Sequence, residues 1–173
     1  MNNPMVIWFF GLSGSGKSTL SNLLLQKLKD KGISSVSIDG DQLRAGINQD
    51  LGFSSEDRME NIRRSAEIAK ILLENHQVVL ASFITPEECH REKVREILGS
   101  TVRFLFVDAD LKTCQSRDVK GLYQNVSKGT LSDFTGISAP FDRPTHVDLI
   151  LDTNEQTSHQ CLDQIVHTFF GER

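Results

Sequence analysis

The sequence predicts an α/β fold, a three-layer sandwich whose mostly parallel sheet carries helices on both faces. Two observations point there. Apolar runs of strand length alternate with stretches of helical period about five times along the chain, as in successive βαβ units. The first unit runs from Met5–Phe10 through Gly11–Thr19 to Leu20–Leu28, so that a glycine loop joins strand to helix.

That loop, Gly11-Leu12-Ser13-Gly14-Ser15-Gly16-Lys17-Ser18-Thr19, reads G-x-x-x-x-G-K-S, the P-loop pattern. It has the strand before it and the helix after it that the pattern requires. Glycines let successive backbone N–H groups turn toward one centre and let a phosphate approach closely. The helix that starts near Gly16 adds its positive dipole end and its unpaired N–H groups. Lys17 is expected to reach the β- and γ-phosphates of ATP, and the Ser18 hydroxyl to ligate Mg²⁺. Gly11, Ser13, Gly14, Ser15, Gly16, Lys17, Ser18 and Thr19 form the candidate nucleotide-binding set. The fold expected is therefore P-loop NTPase-like, of nucleoside-monophosphate-kinase type, with a lid segment.

The remaining elements follow in order. The first helix ends near Asp30, where Gly32 suits its C-terminal cap. Ser34–Ile38 reads as the second strand and stops at Asp39-Gly40-Asp41. Ligands of open α/β sheets sit at the carboxyl ends of strands. Asp39 and Asp41 are thus candidates for Mg²⁺ handling and proton abstraction. The same residues also suit a turn and a helix cap, and spacing alone does not choose. Asp41–Asn48 reads as a short helix, and Ser54 or Ser55 caps a long one running to Asn75. Arg58, Asn61, Arg63 and Arg64 lie near its start, where the dipole prefers acidic side chains. That conflict fits either an anionic ligand or a solvated charged face.

Gln77–Phe83 is a third strand, apolar enough to be buried. Pro86 suits the first turn of a helix over Glu87–Leu98. Val102–Asp108 is a fourth strand, with Asp108 where a Walker-B aspartate would stand or where a short helix through Ser116 begins. Residues 117–145 lose regularity and mix basic, glycine and aromatic residues, as expected of a lid that excludes water. Val147–Asp152 is the last strand, and Glu155–Phe170 the closing helix, in which His159 and His167 read as ordinary helix residues.

A length of 173 residues suits one domain, 1–173, with a substantial core. Hydrophobic residues at 38% and charged residues at 24% exclude a disordered chain. A formal net charge of −4 speaks against broad nucleic-acid binding but leaves room for a basic pocket. Met1–Pro4 lacks a basic n-region, so no signal peptide is expected. No stretch approaches ~18 apolar residues, so no membrane span is expected either. Cys89, Cys114 and Cys161 form no CxxC, and their odd number fits reduced, packed thiols in a cytoplasm.

These residues describe a small phosphoryl-transfer enzyme. No NKxD-type guanine motif marks a GTPase. Such transfer needs positioning and charge neutralisation more than covalent chemistry. Lys17, Mg²⁺ and some of Arg44, Arg58, Lys120 and Arg117 can supply the charge, with Arg117 assigned to the ATP side.

Further motifs carry a resemblance. Asp39–Arg44 with Gly46–Phe53 is similar to DGDNxRxGLNxDLGF. Residues 57–64 are similar to DRxENIRR, and 82–86 to SFISP. Lys120-Gly121-Leu122-Tyr123 is similar to KGLY, and Phe134–Ile137 to FTGI. In this order, over the chain from the P-loop to about Pro144, they resemble the adenylylsulfate (APS) kinase family. The resemblance implies transfer of the ATP γ-phosphoryl to the 3′-hydroxyl of adenylyl sulfate, in the cytoplasm, by a homodimer that binds neither nucleic acid nor membrane. It implies that Phe53 and Phe134 sandwich the acceptor adenine, and that Arg44, Arg58 and Asn61 hold its phosphosulfate and ribose. It further implies acceptor contacts by Asp41, Ile84, Thr85, Lys120 and Leu122, with Lys120 on the lid. Lys17, Asp39, Asp41 and Thr85 form the catalytic set, and Ser18 and Asp39 the Mg²⁺ set. Asp39 is favoured over Asp41 as base without excluding it.

The departures are few. Thr85 stands where the family commonly has Ser, Gln42 for Asn and Ala45 for His. Glu87 and Glu88 replace an aromatic and an Arg. Two alternatives stand beside this reading, the first motivated by the anion near the acceptor pocket. One is a paralogue acting on another nucleotide, such as a cytidine diphosphate or phosphoramidate derivative in surface-polysaccharide modification. The other is a catalytically silent nucleotide-binding subunit, against which Lys17, Asp39 and Asp41 speak.

Overall fold

A computed structural model describes residues 3–118, 121–127 and 134–171. Its centre is β1 (Met5–Phe10), which alternates its side chains between two cores. Val6, Trp8 and Phe10 enter one cluster, and Ile7 and Phe9 the other. A strand buried on both faces has to be apolar at every position, which explains the unbroken run. β1 lies between β3 (Val78–Ser82) and β4 (Val102–Asp108), and β2 (Ser35–Asp39) and β5 (Leu149–Asp152) form the edges, in the order β2-β3-β1-β4-β5. Every pairing is parallel.

Helices cover both faces. α1 (Lys17–Asp30) and α7 (Ser158–Phe170) pack Leu20, Leu24, Leu28, Cys161 and Ile165 onto Ile7, Leu80 and Leu105. On the other face, α3 (Ser55–Leu73) and α4 (Glu88–Leu98) bring Ile62, Ala66, Ala69 and Val94 against Trp8, Val79 and Phe104. The sheet edge towards the site carries α2 (Gly40–Arg44), α5 (Leu111–Arg117) and α6 (Leu122–Ser127).

Several boundaries differ from expectation, each for a local reason. α2 stops at Arg44, because Gly46 and Asn48 both turn their amides back onto the Leu43 carbonyl. β5 starts at Leu149, because the Asp148 carboxylate takes the Phe104 amide that a strand partner would have used (2.7 Å). A Thr157–Gln160 capping box delays α7 to Ser158. Pro86 lies before the N-cap of α4, which is Glu87, not within its first turn. α6 interrupts the segment expected to be irregular, its first amides, of Tyr123 and Gln124, donating to the Asp118 carboxylate. Cys114 and Cys161 are buried and Cys89 is exposed, so packing accounts for two of the three thiols. Among the described residues no helix is long and apolar enough to cross a membrane.

Leu24 is fully buried at the centre of the α1 contact. Leu24→Ala should lower unfolding stability by about 2–4 kcal/mol, measured by urea denaturation.

Candidate active site

Parallel register decides which side chains meet. Asp39 pairs with Ser82, and Ser82 with Phe9, so β2, β3 and β1 end in one row. Just beyond that row the chain must leave three adjacent strands, and the departing loops enclose a cavity of about 530 Å³. Ser13–Thr19, Asp39, Asp41, Arg44, Phe53, Arg58, Asn61, Ile84, Thr85, Arg117, Leu122 and Phe134 all line it. The nucleotide, acceptor, catalytic and Mg²⁺ sets named from the sequence have two further members. Gly11 is one, and Lys120 lies outside the described residues.

The P-loop forms one wall. Gly16, at φ 108°, is the N-cap of α1, a backbone conformation that glycine adopts without strain. No side chain caps this helix, so its first N–H groups are left for a ligand. Lys17 Nζ donates to the carbonyls of Gly11 (3.1 Å) and Leu12 (2.7 Å), which curl around it. Gly11 acts by packing. Its amide donates to the Ile84 carbonyl (3.3 Å), and a Cβ there would come within 2.4 Å of the Val107 carbonyl oxygen.

Ser18 donates its hydroxyl to Asp39 Oδ2 at 2.6 Å, and Asp39 Oδ1 accepts the Asp41 amide at 2.9 Å. Asp39 therefore caps α2 and faces the P-loop with the same carboxylate. Asp108, the other candidate for a Walker-B role, is paired with Arg143 instead and lies outside the cavity lining.

The opposite wall is cationic and aromatic. Arg44 donates to the carbonyls of Leu51 and Gly52, with its guanidinium 4.5 Å from the Phe53 ring centre. Arg58 donates to the Phe53 carbonyl and to Thr135 Oγ1, 5.6 Å from the same ring. Burial, and then the neighbouring Arg58 charge, lower the Arg44 pKa. Two guanidiniums held this close are eased by an anion between them. Phe53 is 52% exposed, whereas Phe134 is 8% exposed and meets Tyr123 edge-on at 4.9 Å. Asn61 is buried and accepts from Asn48 Nδ2 (2.9 Å).

Arg63 and Arg64 belong to a different structure. Both pair with Glu60, and Arg64 also grips Asp50 with two hydrogen bonds (2.7 and 2.9 Å), fastening the loop before Phe53 to α3. Glu88 likewise turns away. Its carboxylate is taken by Arg91 and Arg95, each at 2.7 Å, outside the cavity lining. The anion that motivated another acceptor is thus neutralised within α4 and its surroundings.

Side chains from beyond the loop hold the P-loop from below, Thr153 among them a residue that the sequence did not single out. Thr153 Oγ1 donates to the Ser15 carbonyl (2.9 Å), Arg117 donates to Thr153, and Tyr123 donates its hydroxyl to the Ser13 carbonyl (2.8 Å). The rule that ligands gather at strand ends points to Thr153, which follows β5 directly. Tyr123 closes the KGLY-like run, which marks the position without giving it this role. Among the described residues no group of three or more His, Cys, Asp or Glu could hold a metal.

A P-loop on one wall, a strand-end carboxylate beside its serine, and paired arginines opposite define a P-loop phosphotransferase. The particular family follows from comparison. The family model for adenylylsulphate kinase matches residues 3–152. An adenylyl-sulfate kinase of Paraburkholderia xenovorans is 45% identical over 161 residues, 93% of this chain and 90% of that protein. One of Erwinia tasmaniensis is 47% identical over 163 residues, 91% of this chain and 81% of that protein. The Mycobacterium tuberculosis APS kinase solved with AMPPNP and APS superposes with a TM-score of 0.92 at 38% identity, over 97% of this chain and 98% of that one. The chain belongs to the adenylylsulphate kinase family.

The Glu60 carboxyl is lowered from its ordinary 4.5 to about 2 by hydrogen bonds from Arg63 and then Arg64. Its folded value is depressed, so its stabilisation is complete above pH about 4.5 and is lost as pH falls towards 2. Glu60→Gln should lower Tm by about 1–3 °C at pH 7, and the gap should close on acidification through that window, measured by thermal unfolding across pH.

Proposed function

We infer that this chain is an ATP-dependent adenylyl-sulfate kinase, converting ATP and adenylyl sulfate to ADP and 3′-phosphoadenylyl sulfate in sulfate activation. One observation carries the reading: a single cavity has a P-loop on one side and, facing it, two guanidiniums flanking an exposed phenylalanine. ATP takes the P-loop wall, with its phosphates on the N-terminal amides of α1 and on Lys17, and Arg117 beside them. The acceptor takes the other wall. Its adenine stacks between Phe53 and Phe134, and its sulfate and phosphate meet Arg44 and Arg58, whose forks suit multi-oxygen anions. Asn61, Ile84, Thr85 and Leu122 complete that wall, and Lys120 is a further acceptor contact implied by the family resemblance.

Mg²⁺ fits the donor set at Ser18 and Asp39, whose hard oxygens already lie 2.6 Å apart. An ion held by Ser18 and Asp39 would supply positive charge to the transferring phosphoryl group. Both Asp39 oxygens accept hydrogen bonds, from Ser18 and from the Asp41 amide. Asp39 and Asp41 both line the cavity and both suit the proton of the ribose 3′-hydroxyl, with Asp39 the favoured base. Transfer is then direct and in line, with Lys17 and the arginines neutralising developing charge. The chain works as a homodimer in the cytoplasm, a reading supported by family resemblance, and light scattering at twice the chain mass is its test.

The deciding assay is ADP release from Mg-ATP with adenylyl sulfate beside other nucleotides. Turnover with adenylyl sulfate is expected, and turnover with another nucleotide alone would overturn the acceptor assignment. Lys17→Ala should reduce kcat by at least about 10²-fold while the circular-dichroism spectrum is preserved. Phe53→Ala should raise the KM for adenylyl sulfate by the equivalent of roughly 1–3 kcal/mol of lost stacking, with the KM for ATP unchanged.

A further inference from the structure

We propose that Trp8 is a positioning residue for the acceptor: its indole N–H turns the Thr85 hydroxyl into a hydrogen-bond donor for a lone pair of the acceptor nucleotide. The proposal rests on the reading of the cavity given above. Thr85 lines that cavity, is 1% exposed, and receives Trp8 Nε1–H on its Oγ1 at 2.8 Å. An indole nitrogen can only donate, so the hydroxyl oxygen must accept. Among the described residues, the hydroxyl's own proton finds no acceptor. A buried hydroxyl proton without a partner is costly, and an oxygen or ring nitrogen of a bound nucleotide relieves that cost.

The backbone supports the same conclusion. Thr85, at φ 44°, is the one non-glycine residue in the left-handed region among the described residues. A β-branched residue adopts this conformation only when its surroundings enforce it. Two buried groups do so. Arg91, fully buried in α4, donates through Nη1 to the carbonyls of Thr85 (3.2 Å) and Pro86 (3.3 Å). Trp8 holds the side-chain end, and is itself fixed by stacking on Phe83 at 4.8 Å. Trp8 has no access to solvent. It touches the reaction only through Thr85.

The test compares Trp8→Phe, which keeps a ring on Phe83 but loses the N–H, with Thr85→Val, Thr85→Ser and the Trp8→Phe/Thr85→Val double variant. The KM for adenylyl sulfate should rise about three- to tenfold in Trp8→Phe and in Thr85→Val, with the KM for ATP unchanged. The double variant should be no worse than Thr85→Val, and Thr85→Ser should restore the KM. Effects that multiply in the double variant, or that fall equally on both substrates, would overturn the proposal. Trp8 is the only tryptophan in the chain, so its fluorescence reads the bond without turnover. The emission maximum should move to the blue in Thr85→Val and return in Thr85→Ser. An unmoved maximum would also overturn the proposal, even if Trp8→Phe failed to fold. Wild-type enzyme that neither binds nor turns over adenylyl sulfate would reject the functional reading instead, and the emission series would still decide the Trp8–Thr85 link.

Discussion

The site depends on one constraint, the common ending of three parallel strands. Asp39, Ser82 and Phe9 stand in one row across β2, β3 and β1. Parallel strands all finish at the same edge, so their exits crowd together there. β1 exits into the P-loop, β2 into the carboxylates, and β3 into Ile84 and Thr85. A one-residue slip of β2 against β3 would turn Asp39 to the other face of the sheet and separate it from Ser18. The register is held by burial. Ile38 lies in the same apolar cluster as Ala81 and Trp8, so slippage would expose core side chains.

Charge organises the rest. The wall opposite the P-loop holds Arg44 and Arg58 around one ring, while the nearby Arg63 and Arg64 are paired with Glu60 and Asp50. Within two turns of α3 the contrast is between Arg58, which lines the cavity, and two arginines tied to acidic side chains. Both sets nevertheless serve the same loop. Arg64 ties Asp50 to the helix, and Arg44 ties the carbonyls of Leu51 and Gly52, so that Phe53 is presented on a fastened backbone. Arg91 and Arg95 are structural in the same sense, and with Glu88 they hold α4 to the segments around Asp142 and His146.

The two walls are also joined through the segment after β4. Tyr123 bonds the Ser13 carbonyl of the P-loop and packs edge-on to Phe134 of the acceptor wall. Arg117 and Thr153 brace Ser15 from the side of β5. The nucleotide loop therefore rests on side chains from α5, α6 and the end of β5, beyond its own strand and helix. A phosphate cradle built from backbone amides is only as rigid as the carbonyls behind those amides, and here several of these carbonyls are held.

Much of this was legible from residues alone, because its causes are local. A strand buried on both faces has to be apolar, a phosphate loop has to be rich in glycine, and helices follow their period. The P-loop, the strand-end aspartates and the order of elements could be read in that way, and ordered motifs extended the reading to the acceptor wall. What stayed out of reach depends on side chains meeting across 14 to 138 positions. Asp50 takes Arg64 over 14 residues, whereas Arg58 reaches Thr135 over 77 and lines the cavity. Asp108 resembled a metal aspartate until Arg143 was found beside it, 35 residues away. Trp8 read only as core, and its bond to Thr85 spans 77 positions. Local pattern reports what each segment must bury or expose, whereas hydrogen-bond partners are set by the packing of β1, α4 and α5 against one another, which only the folded chain decides.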